Sequence, residues 1–241
     1  MQRRVAERKR AEPDAKVHGI PLDSEFRSLF TPAGWAFAIW GAIYAGEAAM
    51  TAHALLGGDD AAAGAAPWWA AACALQALWC VAFRPWASKP RHFWVSSALL
   101  VGEAVALGGA TRALRATAAS ASRALFWTTS VPLSIHFGWI TCASVVNMNS
   151  HISKTCSLDT QVAFAFLSAF GAGALGAAVS VAAADPVFGL VVAWALTAVA
   201  GDGGKRTKEV LGDDTLSALR KAARWGARIA LAGVALALVR A

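Results

Sequence analysis

The chain has 241 residues, of which 57% are hydrophobic and 15% charged, with a formal net charge of +7. Average domains carry roughly 25% charged residues, so this composition excludes an ordinary soluble core. The basic balance calls for anionic lipid headgroups rather than a nucleic acid, and eleven Trp against one Tyr point the same way, because indole suits apolar pockets and bilayer interfaces.

Residues 1–30 are basic and polar, without the apolar core of a secretory signal, so the first span is expected to direct insertion. Apolar blocks long enough to cross about 30 Å of hydrocarbon follow at 33–56, 67–86, 92–111, 124–147, 162–183, 186–201 and 222–240. The expected fold class is all-α, a polytopic transmembrane helical bundle of about seven spans. The sixth block is short and ends at Asp202. A hairpin with the fifth is expected to turn at Asp185-Pro186, since Pro breaks helices and disfavours helix in the residue before it.

Lys and Arg distribute unevenly between the two sides of this arrangement. With the N-terminus inside, the inside segments hold seven (1–32), three (Arg84, Lys89, Arg91), one (Lys154) and seven (Lys205 to Arg228), eighteen in all. The outside segments hold four, Arg112, Arg115, Arg123 and Arg240. The excess places the N-terminus inside.

In the first span Phe37, Trp40, Tyr44 and Glu47 recur at spacings of three, four and three, a stripe expected to face the bundle. Glu47, and Glu103 in the third span, are carboxyls within apolar spans and are expected to face a partner, cavity or ligand, as protonated hydrogen-bond donors. In the second span Gln76, Trp79 and Phe83 form a similar stripe, with Gln76 placed to bond between helices. In the fourth, His136, Ile140, Ala143 and Asn147 share a face; His136 is expected to pair with a neighbouring helix, the other reading being a metal or pigment ligand. Residues 171–176 spell G-x-G-x-x-G, the dinucleotide fingerprint, but inside an apolar span with no preceding strand the small residues serve close helix approach instead. Cys73, Cys80, Cys142 and Cys156 show no C-x-x-C or Cys/His ligand spacing and are expected to be buried, reduced thiols.

Three ordered motifs resemble the translocator protein family, also called tryptophan-rich sensory proteins or peripheral-type benzodiazepine receptors. Pro32, Trp35, Phe37, Trp40 and Tyr44 fill its P-x-x-W-x-F and W-x-x-x-Y places; Leu75, Gln76, Trp79 and Phe83 match its L-N-x-x-W with a following aromatic; Trp139, Ala143 and Asn147 match its W-x-x-x-A-x-x-x-N. Gln76 replaces an Asn, and Ile135-His136 stand where a Pro-Tyr is usual. The resemblance covers about residues 30–150 and divides the chain into a polar segment, 1–30, a translocator-like four-helix region, 31–150, and a three-span extension, 151–241.

What the resemblance implies is an aromatic-lined cavity for a tetrapyrrole, a porphyrin or chlorophyll-type pigment, or another flat apolar molecule. Trp35, Trp40, Trp79 and Trp139 would stack on it, Glu47, His136 and Asn147 would orient it, and Phe37, Tyr44, Gln76 and Phe83 complete the set. The second reading is a non-catalytic accessory subunit of a large membrane complex, such as a photosystem or respiratory assembly. The expected setting is integral membrane, bacterial inner membrane or organellar (thylakoid or mitochondrial), as a homodimer or part of a larger complex. No nucleophile elbow or metal motif suggests an enzyme, the last span has no Lys for a retinal Schiff base, and transport is a third reading without a convincing inverted repeat.

Overall fold

The computed structural model describes residues 28–57, 60–83, 92–117, 122–202 and 211–240, and among them the regular structure is entirely helical. The basic N-terminus through residue 27, the cluster Arg84, Lys89 and Arg91, and Lys205, Arg206 and Lys208 lie outside the described residues. The described residues form seven main helices, α1 (Ile39–Leu55), α2 (Ala66–Ala82), α3 (Phe93–Ala116), α4 (Arg123–Thr155), α5 (Leu158–Ala182), α6 (Pro186–Asp202) and α7 (Asp213–Arg240). Short 3-10 segments, Gly34–Ala38 and Asp60–Ala65, lead into α1 and α2. Five helices, all but α1 and α6, are long and apolar enough to cross a membrane.

Each apolar block is a helix, but several helices outrun their block. Helix α3 continues to Ala116 and takes Arg112 and Arg115 into its last turns, α4 reaches Thr155, and α7 begins at Asp213. The apolar run stops where the chain meets the headgroups, whereas backbone hydrogen bonding continues until a cap or turn ends it. Ser122 starts α4 by accepting the Leu125 N–H at 3.0 Å, and Ser157 starts α5 by accepting that of Thr160 at 3.4 Å. Within α4, residues Phe126–Ser130 form a π-helical turn directly before Pro132, which lets the helix pass a residue that cannot donate its own N–H.

The expected hairpin turns at Asp185. Helix α5 ends in a Schellman arrangement: Ala184 takes a left-handed φ of 48° and the Asp185 N–H bonds the Ser180 carbonyl at 3.0 Å. The Asp185 carboxyl then caps α6, accepting the Phe188 N–H at 3.1 Å, with Pro186 at the first helical position. The same carboxyl, 2% exposed, accepts from Ser134 of α4 at 2.8 Å and pairs with the Arg115 guanidinium of α3. The end of α3, the start of α6 and the N-terminal half of α4 are thereby fastened together.

Helix α4 is central, packing against α1, α3, α5 and α6; α2 lies on α3, and α7 lies across α5 and α6. Small residues set the close approaches. Gly173 of the G-x-G-x-x-G stretch faces Gly226 of α7, Gly176 faces Ala230, and Gly233 faces Ala177, so the motif is a helix-packing surface. The chain before α1 is docked on α6: Ala33 N–H bonds the Ala198 carbonyl at 3.1 Å, and Trp194 Nε1 donates to the Ala36 carbonyl at 3.2 Å. The four thiols are free, but only Cys142 is buried; Cys73 is half-buried and Cys80 exposed because α2 packs on one side only, and Cys156 is half-buried in the turn after α4.

Candidate functional site

The site is built where α1 crosses α4. Gly46 sits against Pro132 so closely that an added Cβ would lie 2.6 Å from the proline Cβ. That contact brings the next residue, Glu47, beside His136, which lies one turn beyond Pro132 on the same face of α4. Glu47 Oε1 is 3.0 Å from His136 Nδ1, and Glu103 Oε1 of α3 is 3.3 Å from His136 Nε2. His136 thus pairs with two neighbouring helices, as one of the two readings of the sequence expected.

The two in-span carboxyls share this imidazole, a link that the sequence did not disclose. Glu103 and His136 are fully buried, while the Glu47 side chain is 23% exposed. These are charge contacts rather than aligned hydrogen bonds: Glu47 Oε1, both Glu103 oxygens and both His136 nitrogens have no hydrogen-bond partner among the described residues. The contacts at 3.0 Å and 3.3 Å offset part of the burial cost of these groups, and leave acceptor capacity on Glu47 and Glu103 that a further polar group could fill. Among the described residues no group of three or more His, Cys, Asp or Glu is placed to hold a metal ion.

Aromatic rings surround this centre. Trp40 sits edge-on to His136 at 5.9 Å and to Trp139 at 6.4 Å, and Phe37 meets Trp139 edge-on at 5.5 Å. Trp139 is buried beneath Phe37 and Trp40. Tyr44 departs from the expectation that the whole stripe faces inward: it is 57% exposed and stacks on Trp40 at 5.3 Å. Helix α1 packs chiefly on α4, so the flank carrying Tyr44 is open.

Of the remaining expected residues, Trp79, Phe83 and Asn147 form a second group nearer the other end of α4. Asn147, eleven residues or about 16 Å along the helix from His136, accepts at Oδ1 from Ser96 at 2.7 Å and from Trp79 Nε1 at 3.5 Å. Trp79 stacks on Phe83 at 4.8 Å. The interhelical bond expected of Gln76 comes from Trp79, three residues on; Gln76 itself is half-buried. Trp35 joins neither group and meets Trp194 of α6 edge-on at 4.6 Å. A cavity of roughly 400 Å³ lies apart from both groups, lined by Leu158, Asp159, Val162, Leu211 and Thr215.

The Asn147 cluster ties α2, α3 and α4 together through one amide oxygen. Asn147→Leu leaves the Ser96 hydroxyl and the Trp79 N–H without that acceptor. The expected loss is about 1 kcal/mol, the usual scale for an interhelical hydrogen bond in a membrane, read as a shift in the unfolding midpoint in mixed detergent micelles.

Compared with known families, the chain matches a model described as TSPO-like protein over residues 20–235. The match takes in the three C-terminal helices as well as the region carrying the motifs. No curated protein and no solved structure matches it.

Proposed function

Since the chain belongs to the TSPO-like protein family, and is an integral membrane helical bundle of that type, we propose that it binds a flat apolar ligand of the tetrapyrrole kind on the aromatic face of α1. The observation that carries this reading is the open stack of Trp40 and Tyr44 beside the unsatisfied Glu47–His136–Glu103 cluster. Stacking and burial supply the affinity, and the polar cluster fixes orientation. Trp139 and Phe37 back the Trp40 ring rather than offer open faces. No reaction is part of this reading.

An uncharged porphyrin such as octaethylporphyrin, titrated against Trp fluorescence in micelles, tests it. Saturable quenching at micromolar porphyrin is expected. Tyr44→Ala removes an exposed ring, so the fold stays intact while about 1 kcal/mol of stacking is lost, roughly a fivefold weaker affinity. Absence of saturable quenching in the wild type overturns the reading and leaves the accessory-subunit role, which copurification with a larger complex in mild detergent would reveal.

A further inference from the structure

The cluster at the crossing of α1, α3 and α4 holds more acid than base. Two carboxyls flank one imidazole at 3.0 Å and 3.3 Å. With both acids ionised and the imidazole protonated, the three side chains carry one net negative charge inside the bundle, which is costly in a medium of low dielectric. A proton held by one of the two acids removes that excess, and so does a cation alongside. Among the described residues no group of three is placed to hold a metal ion, and Glu103 and His136 are buried, so a cationic group would meet the cluster through Glu47.

That side is the open flank of α1. Glu103 and His136 are sealed, but Glu47 keeps 23% of its side chain accessible. Tyr44 lies one turn before Glu47 and is exposed, and Trp40 stacks beneath Tyr44 with the planes only 25° apart. Their spacing along the helix, Trp40, Tyr44 and Glu47, puts the Tyr44 ring, backed by the stacked Trp40, and a carboxyl in one line. Ring faces attract cations through their quadrupole, and a carboxylate takes a charge-assisted hydrogen bond or a direct ion contact. Together they form the combination that recognises an organic ammonium or iminium group on an apolar body.

We infer that this face selects flat aromatic molecules bearing a positive charge, with the cationic group between Glu47 and the Tyr44 ring that Trp40 backs, while His136 and Glu103 hold the Glu47 carboxylate in position from behind. The inference rests on the proposed reading that the aromatic face is a ligand site, and adds the ligand's charge to it. Specificity comes from the contrast between partners: a neutral molecule of the same shape gains the stacking but leaves the acid excess in place, and an anionic one adds to it.

The test uses the full chain in uncharged micelles and two probes of nearly equal shape, N-methylacridinium and acridine, at mildly alkaline pH where acridine is uncharged. The cation is expected to bind at least ~10-fold more tightly than its neutral counterpart, on the scale of a cation–π contact plus an ion pair. In Glu47→Gln, which keeps the size and hydrogen-bonding shape of the side chain, the ratio of the two affinities is expected to fall to about one. Tyr44→Ala tests the ring contribution, and should weaken both probes while keeping part of the ratio. A wild-type ratio near one overturns the inference without use of any mutant, and so does a ratio retained in Glu47→Gln. Saturable porphyrin binding alongside a ratio of one leaves the ligand site standing and removes only the charge preference; failure of the porphyrin and of both acridines removes both.

Discussion

Gly226→Val is expected to destabilise the folded bundle strongly. A Cβ at Gly226 would fall on the backbone carbonyl of Ala169 in α5 and approach Leu196 of α6 at 3.1 Å. A side-chain neighbour can rotate away, but a helix carbonyl cannot move without dragging its helix. The substitution forces α7 off α5 and opens the contact between Gly173 and Gly226. Overpacking a well-fitted interior costs about 1–3 kcal/mol and more where the backbone has to shift, so a loss at or above the upper end is expected. Gly171→Val is the matched control, because nothing lies within 4 Å of a Cβ built there; it should leave the thermal midpoint nearly unchanged. Size-exclusion profiles and thermal unfolding of the two variants in the same detergent check both expectations. Equal behaviour would show that the α5–α7 contact is looser than described.

The second large effect belongs to Asp185→Ala. The carboxylate accepts from Arg115, Ser134 and the Phe188 N–H, and its side chain is 2% exposed. Removing it uncaps α6, a loss of about 1 kcal/mol, and leaves the Ser134 hydroxyl and the Arg115 guanidinium without their partner. Breaking a buried pair costs about 3–5 kcal/mol, but Arg115 is one-third exposed and can turn toward water, which discounts that figure. The expected total is about 2–4 kcal/mol. Asp185→Asn keeps the cap and the Ser134 bond and loses only the charge, so it should sit about midway. A double-mutant cycle with Arg115→Gln isolates the ion pair; a coupling energy indistinguishable from zero would mean that the cap alone carries the effect.

Helix number and type were legible because continuous apolar runs leave a backbone in lipid no alternative to internal hydrogen bonding. The 185–186 turn was legible from Pro186 alone, and the packing role of Gly173 and Gly176 from the absence of any strand before them. The site was legible in parts. Glu47, Glu103 and His136 each stood out as polar groups in apolar spans, yet nothing in one chain's spacing says which helices are neighbours, so their meeting had no signal. Gly46 and Pro132 do carry that information, as a close-approach residue and a helix irregularity that coincide at the crossing, but only once both are seen in space. Tyr44 misled because helical periodicity reports which residues share a face, not whether that face is covered. The Asp185–Arg115 tie was hidden for a similar reason: Arg115 sat beyond the apolar block that was taken to end the third helix.

Helix α6 is 17 residues long, about 25 Å, and Phe188, Val192, Leu196 and Ala198 along it are essentially sealed by protein. Its depth is fixed by the Asp185 tie at one end and by the Ala33 and Trp194 bonds along its length, rather than by the bilayer. Hydrophobic mismatch acts on the helices that lipid wets, which tilt or draw the membrane toward themselves when its thickness changes. The short helix α6 meets that force only along its outward stripe of Leu190 and Trp194, and its other faces are packed in protein. A thicker or thinner host membrane would therefore strain the rim of the bundle, α2 above all, while α6 and the start of α1 docked on it keep their register, so the aromatic face of α1 stays aligned with α4 across membranes of different composition.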